Sequence, residues 1–159
     1  LWMKSVYGDQ APAAWEQLAK KTVTVTKGWS EAYGMFLDGE ADMVLSYTSS
    51  PAYHLIAEHK SQYQAAAFEE GHYRQVEVAA KIKNAKQGKL ADQFLQFMIS
   101  PAFQNEMATG NWMYPVIDTP LPKGFEQMIT VAKPLAFSSD EVAANRKGWI
   151  REWLQAVTQ

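Results

Sequence analysis

The 159-residue chain is 47% hydrophobic and 20% charged, the balance of a globular domain large enough to bury a core. Its formal net charge of -2 and pI near 5.9 offer no basic field for a phosphate backbone, which argues against nucleic acid as a partner. Cysteine is absent, so disulfides, thiolate metal sites and a cysteine nucleophile are excluded within these residues, and no apolar run approaches the roughly 20 residues of a bilayer span.

Leu1-Trp2-Met3-Lys4 opens on a helical pattern instead of a basic region followed by an apolar segment, so we expect the chain to start inside a longer gene product. Apolar residues at Trp2, Met3 and Val6, then at Trp15, Leu18 and Ala19 beyond Gly8-Asp9, predict two helices before Lys21. Thr22 to Thr26 is β-branched throughout with period-two alternation and predicts a strand, closed by Lys27-Gly28. Ser30 is placed to cap a helix running to Leu37. Met43 to Tyr47 reads as a short buried strand, and Ser49 with Pro51 as the opening of a helix over Ala52 to His59.

Tyr63 to Phe68 and Tyr73 to Lys81 are further strand candidates. Leu90, Phe94, Leu95, Phe97 and Met98 follow helical spacing from Lys89, and Ser100-Pro101 begins a short helix reaching Met107. Between Thr109 and Phe137 two glycines and four prolines predict loop, with one helical turn near Glu126. Ser138 to Glu141 is a capping-box opening for a last helix whose stripe is Val142, Trp149, Ile150, Trp153 and Val157. Strands alternating with helices predict an α/β fold with some parallel pairing, in which ligands sit at strand C-termini beside helix N-termini. That rule selects Lys27-Gly28-Trp29-Ser30 and Tyr47-Thr48-Ser49-Ser50-Pro51.

Catalytic and metal constellations are weak. His54 and His59 are five apart and fall on different helix faces, and Asp38, Glu40 and Asp42 lack the spacing of a calcium loop. There is no glycine-rich phosphate loop and no serine elbow. The compositional oddity is six Trp, seven Tyr and seven Phe. Trp29 and Tyr47 fall at strand ends, Tyr53 one turn into a helix, and Trp112 in the proline-rich loop. Such rings suit a flat, positively charged ligand, because aromatic faces attract cations by ~0.5–2 kcal/mol per contact. Thr48, Ser49, Ser50 and nearby backbone N–H groups could fix its orientation or cradle a phosphate.

The strings Thr22-Val23-Thr24-Val25-Thr26-Lys27-Gly28-Trp29-Ser30-Glu31-Ala32-Tyr33-Gly34, Leu45-Ser46-Tyr47-Thr48, Ser50-Pro51-Ala52-Tyr53-His54 and Thr109-Gly110-Asn111-Trp112-Met113-Tyr114-Pro115-Val116 resemble the family of periplasmic thiamine-binding proteins. The resemblance covers nearly the whole chain and aligns it with the family's second half. It implies a two-lobed, type II periplasmic-binding-protein-like α/β fold of which this chain is the C-terminal half. Residues 1–80 would then be mainly second-lobe, 81–110 a helical segment crossing to the first lobe, and 111–159 the return segment and final helix.

By the same resemblance the ligand is thiamine, its monophosphate or its diphosphate, with no further cofactor or metal. The partners are the permease subunits of an ABC importer and the N-terminal half of the same protein, and the compartment is the periplasm. Ligand contacts carry over to Trp29, Tyr47, Thr48, Ser49, Ser50, Pro51, Tyr53 and Trp112, with the four rings expected to converge on one hollow. The alternatives are a thiamine-processing enzyme on the same scaffold, and a binding protein for a polyamine or chelated iron.

Overall fold

In a computed structural model, described here for residues 1–158, the chain forms eight α-helices, two 3-10 turns and two short strands among the described residues. The helices are α1 (Trp2–Tyr7), α2 (Ala11–Ala19), α3 (Trp29–Leu37), α4 (Ser50–Ala57), α5 (Gly88–Met98), α6 (Pro101–Gln104), α7 (Met107–Gly110) and α8 (Ser139–Val157). The strands are β1 (His72–Tyr73) and β2 (Pro134–Leu135), paired in parallel with His72 opposite Pro134 and Tyr73 opposite Leu135. The chain divides into two compact units. One holds Leu1–Ser46, Ala67–Gln75 and the residues from Val131 to the end of the described chain; the other holds Tyr47–Ala66 and Val76–Thr130.

In the first unit α2 packs on α8, and Ala11, Trp15 and Ala156 form its buried centre with Met3, Trp153 and Val157 against them. Helix α8 starts as its sequence directs: Ser138 is the N-cap and its hydroxyl accepts from the Glu141 N–H at 3.2 Å. Lys4 ties α1 to α8 through an ion pair with Glu152 at 3.0 Å. The Trp2 indole N–H donates to the Gly71 carbonyl at 2.8 Å, so β1 is anchored to α1. Bonds at the ladder's margins run from the His72 N–H to Lys133 O at 3.1 Å and from the Arg74 N–H to Leu135 O at 2.8 Å.

In the second unit Ala52 of α4, Ala108 of α7 and Phe125 of a 3-10 turn (Phe125–Gln127) are buried together. Ile56, Trp112 and Met128 pack onto this cluster. Helix α4 ends in a polar knot. The His54 carbonyl accepts from both the Glu58 and Lys60 N–H groups, while its Nδ1 meets Glu58 Oε2 at 2.8 Å and Lys60 Nζ lies 3.1 Å from the same oxygen. The hydrogen bond from His54, and secondarily Lys60, holds the Glu58 carboxyl below the usual carboxylate range.

Three readings need correction. Ser30 is not the cap of α3: Gly28 is the N-cap, without a side-chain cap bond, and the Glu31 carboxylate reaches back to accept from the Lys27 N–H at 3.2 Å. The short helix after Ser100 is broken in two, α6 and α7, by a turn at Asn105-Glu106. Of the expected strands, Thr22–Thr26, Met43–Tyr47 and Tyr63–Phe68 form no ladder among the described residues, and Tyr73–Lys81 contributes only Tyr73. A strand cannot satisfy its own N–H and C=O groups, and these segments find no neighbouring strand among the described residues. Several of their apolar side chains lie open, with Leu45 92%, Val78 87% and Met43 70% exposed.

Gly71 shows how tightly the one ladder is made. Its φ is +105°, and a Cβ there would sit 2.3 Å from the Lys133 carbonyl oxygen. Gly71→Ala is therefore expected to cost ~2 kcal/mol or more and to loosen β1 from β2, read as a lower urea midpoint and faster amide exchange at His72 and Arg74. For Glu58, a folded-state pKa below the unfolded value means that its stabilisation is complete above the ordinary 4.5 and is lost as pH falls through the folded value. Glu58→Gln should flatten that acid limb in a melting-temperature profile against pH and leave the neutral-to-basic side unchanged in slope.

Candidate aromatic ligand site

Trp29 opens α3, and its indole ring stacks on Tyr33 one turn later, with centroids 4.7 Å apart and planes at 28°. Its Nε1–H donates to the Ser46 hydroxyl at 3.1 Å. The ring is thus held on one face and at its edge while remaining half exposed. This spacing of four residues was visible in Trp29-Ser30-Glu31-Ala32-Tyr33, and neither Tyr33 nor Ser46 was singled out from the sequence as a site residue.

The second unit carries Tyr47, Thr48, Ser49, Ser50, Pro51, Tyr53 and Trp112. Tyr53 and Trp112 meet edge to face, with centroids 5.2 Å apart at 79°, although 59 positions separate them in sequence. Trp112 has a φ of +56°, a left-handed state that few bulky residues adopt. Its packing on the Ala52, Ala108 and Phe125 cluster holds it there. Strain of this kind collects where a side chain must be aimed.

The serine hydroxyls at the head of α4 are held by local contacts. Ser49, buried, holds the N-cap position but donates to Met113 Sδ at 3.8 Å instead of capping the helix. Ser50 Oγ accepts the Tyr47 N–H at 3.2 Å. These contacts tie the 47–51 turn to itself and to the loop that bears Trp112. Pro51 lies in the first turn of α4, as its fixed φ favours.

Thr48 and Pro51 also line a cavity of about 270 Å³, with Leu55, Lys60, Tyr63 and Met128 among its other walls. Tyr47, Tyr53 and Trp112 are not in its lining. Lys60 brings the one charged side chain to that lining, and the Glu58 carboxylate raises its pKa by accepting its hydrogen bond. Sequence reasoning missed Lys60, Tyr63 and Met128, because nothing in their local pattern distinguishes them from ordinary loop residues. Trp29 stands in the first unit and the remaining predicted residues in the second. Among the described residues no group of three or more His, Cys, Asp or Glu side chains could hold a metal ion, and no helix is long and apolar enough to cross a membrane.

Comparison with known proteins places this geometry in context. Residues 4–105 match the family described as bacterial extracellular solute-binding protein. The chain is 64% identical over 159 residues to the thiamine-binding periplasmic protein of Escherichia coli (strain K12), covering all of this chain and 49% of that protein. It is 50% identical to the thiamine-binding periplasmic protein of Brucella melitensis, again over the whole chain and 48% of the relative. A solved structure titled periplasmic thiamin binding protein superposes with a TM-score of 0.97 at 63% identity, over 99% of this chain and 50% of that one. The chain therefore spans about half the length of the curated relatives it matches, and its fold is that of half a solute-binding protein. With its mixed helices and strands, its family match and that superposition, the chain belongs to the bacterial extracellular solute-binding proteins.

Proposed function

We propose that this chain is half of the periplasmic solute-binding component of an ABC importer, and that the whole protein captures thiamine and delivers it to the permease without altering it. The observation that carries this reading is the pre-aimed Trp112–Tyr53 pair, held by a left-handed backbone, in a chain 64% identical to a thiamine-binding periplasmic protein. Thiamine joins a permanently charged thiazolium to a flat pyrimidine. Aromatic faces stabilise such a cation by ~0.5–2 kcal/mol per contact, and stacking orients the flat ring.

In this reading Trp29 and Tyr47 supply further faces, while Thr48 to Pro51 shape the wall between Tyr47 and Tyr53 and hold the ligand's polar end. Thiamine phosphates would be accepted where the ester oxygens reach the Thr48 hydroxyl and the backbone N–H groups at the head of α4. In the two-lobed protein 1–80 would be mainly second-lobe, 81–110 a helical segment crossing to the first lobe and 111–159 the return segment and final helix, a division that differs from the two compact units within this chain. The exposed Leu90, Phe94 and Phe97 of α5 support such a crossing, since a two-ring apolar face is seldom left to water. The open strand segments likewise suit pairing with the remainder of a longer chain.

Titration of the full-length protein should show tryptophan quenching by thiamine and none by spermidine or ferric citrate. Trp112→Ala and Trp29→Ala should each weaken thiamine binding by about tenfold or more, the equivalent of ~1.4 kcal/mol. The 159-residue chain alone should self-associate in sedimentation and bind thiamine poorly. Full affinity in a monodisperse sample of it would overturn the two-half reading, and quenching by spermidine would overturn the ligand.

A further inference from the structure

His54 is the largest side chain sealed completely from solvent among the described residues, and no step of the proposed binding uses it. A leucine would fill the same volume without the polar cost, since a buried imidazole must find hydrogen-bond partners. The surroundings show what the imidazole adds. Its Nδ1 meets Glu58 Oε2 at 2.8 Å, which fixes the rotation of the ring about its Cβ–Cγ bond. In that rotation its face lies against Tyr63, centroids 4.1 Å apart at 38°, and it meets Tyr53 edge to face at 5.1 Å and 72°. Tyr53 in turn meets Trp112.

The backbone adds a second attachment. The His54 carbonyl accepts from the N–H groups of Glu58 and Lys60, and His59 takes a φ of +57° to make the reversal. That reversal returns Lys60 and Tyr63 to the lining of the cavity that Thr48 and Pro51, ahead of His54 in the chain, also line. One residue therefore backs the aromatic pair and fixes the cavity wall.

We infer that His54 is a positioning residue, which orients Tyr53 and Tyr63 through its hydrogen-bonded ring and so sets the spacing between the Tyr53–Trp112 pair and the cavity wall. This rests on the proposed ligand reading for its effect on affinity. The orientation itself is independent of any ligand.

The test compares His54→Asn, which keeps a polar group toward Glu58 but removes the ring, with His54→Phe, which keeps the ring but removes the hydrogen bond, in the full-length protein. Near-ultraviolet circular dichroism reports the Tyr53–Trp112 coupling, with Trp112→Phe identifying the band. The expected result is that His54→Asn, still folded by far-ultraviolet dichroism, loses that band and weakens thiamine binding about tenfold, the scale of one lost aromatic pair. His54→Phe, with the ring but not the bond that fixes its rotation, should recover the band in part and bring binding to within about threefold of the parent. An unchanged band and Kd in His54→Asn, a loss that His54→Phe does not lessen, or a His54→Phe protein identical to the parent overturns the inference. Should His54→Asn fail to fold, Tyr63→Leu leaves the His54–Glu58 contact in place and removes the ring stacked on His54, together with its part of the cavity wall. Loss of the Tyr53–Trp112 band there supports the role and an unchanged band overturns it. If the parent protein does not bind thiamine, the ligand reading falls, and the dichroism comparison still decides what His54 does.

Discussion

A helix satisfies its own backbone, whereas an extended segment must borrow a neighbour, and this difference governs what the chain builds. Eight helices form among the described residues, yet the strand ladder is two residues paired with two. The buried clusters are accordingly helix-based, α2 against α8 in one unit and α4 with α7 and a 3-10 turn in the other. Leu45 and Val78, in segments with a strand-like pattern, lie open to solvent.

The same difference explains which parts of the fold were legible. Helical periodicity and caps are local signals, so α2, α5 and α8 stand close to where Trp15, Phe94 and Ser138 predicted them. Ser138 caps as its spacing to Glu141 requires. Ser30 misleads because Gly28 can take the extended cap conformation and the Glu31 carboxylate supplies the reach-back bond, which leaves the serine inside the first turn. Period-two alternation at Thr22–Thr26 reports a preference for pleated surroundings, not the existence of a partner. The β1–β2 pair was hidden for the opposite reason: Pro134-Leu135 is too short to show any period, and its pairing depends on the close approach of Gly71 to Lys133.

For the candidate site, position along the chain singled out rings, and the structure shows how polar groups aim them. Ser46 receives the Trp29 indole N–H, Ser49 turns to Met113, and Ser50 takes the Tyr47 N–H. None of these bonds could be read from composition, because a serine near an aromatic residue is equally at home capping a helix or facing water. The histidines offer no shared helix face for a metal, and the spacing of His54 and His59 gives no hint that His54 stands between Tyr63 and Tyr53 in an aromatic series that continues to Trp112.

Trp112 belongs both to the packing around Ala52, Ala108 and Phe125 and, through its strained backbone, to the surface pair with Tyr53. Interior and exterior selection therefore act on a single indole. Substitution at a small interior residue such as Ala108 would shift the Tyr53–Trp112 pair from within, and in the ligand reading proposed above would alter what that pair accepts.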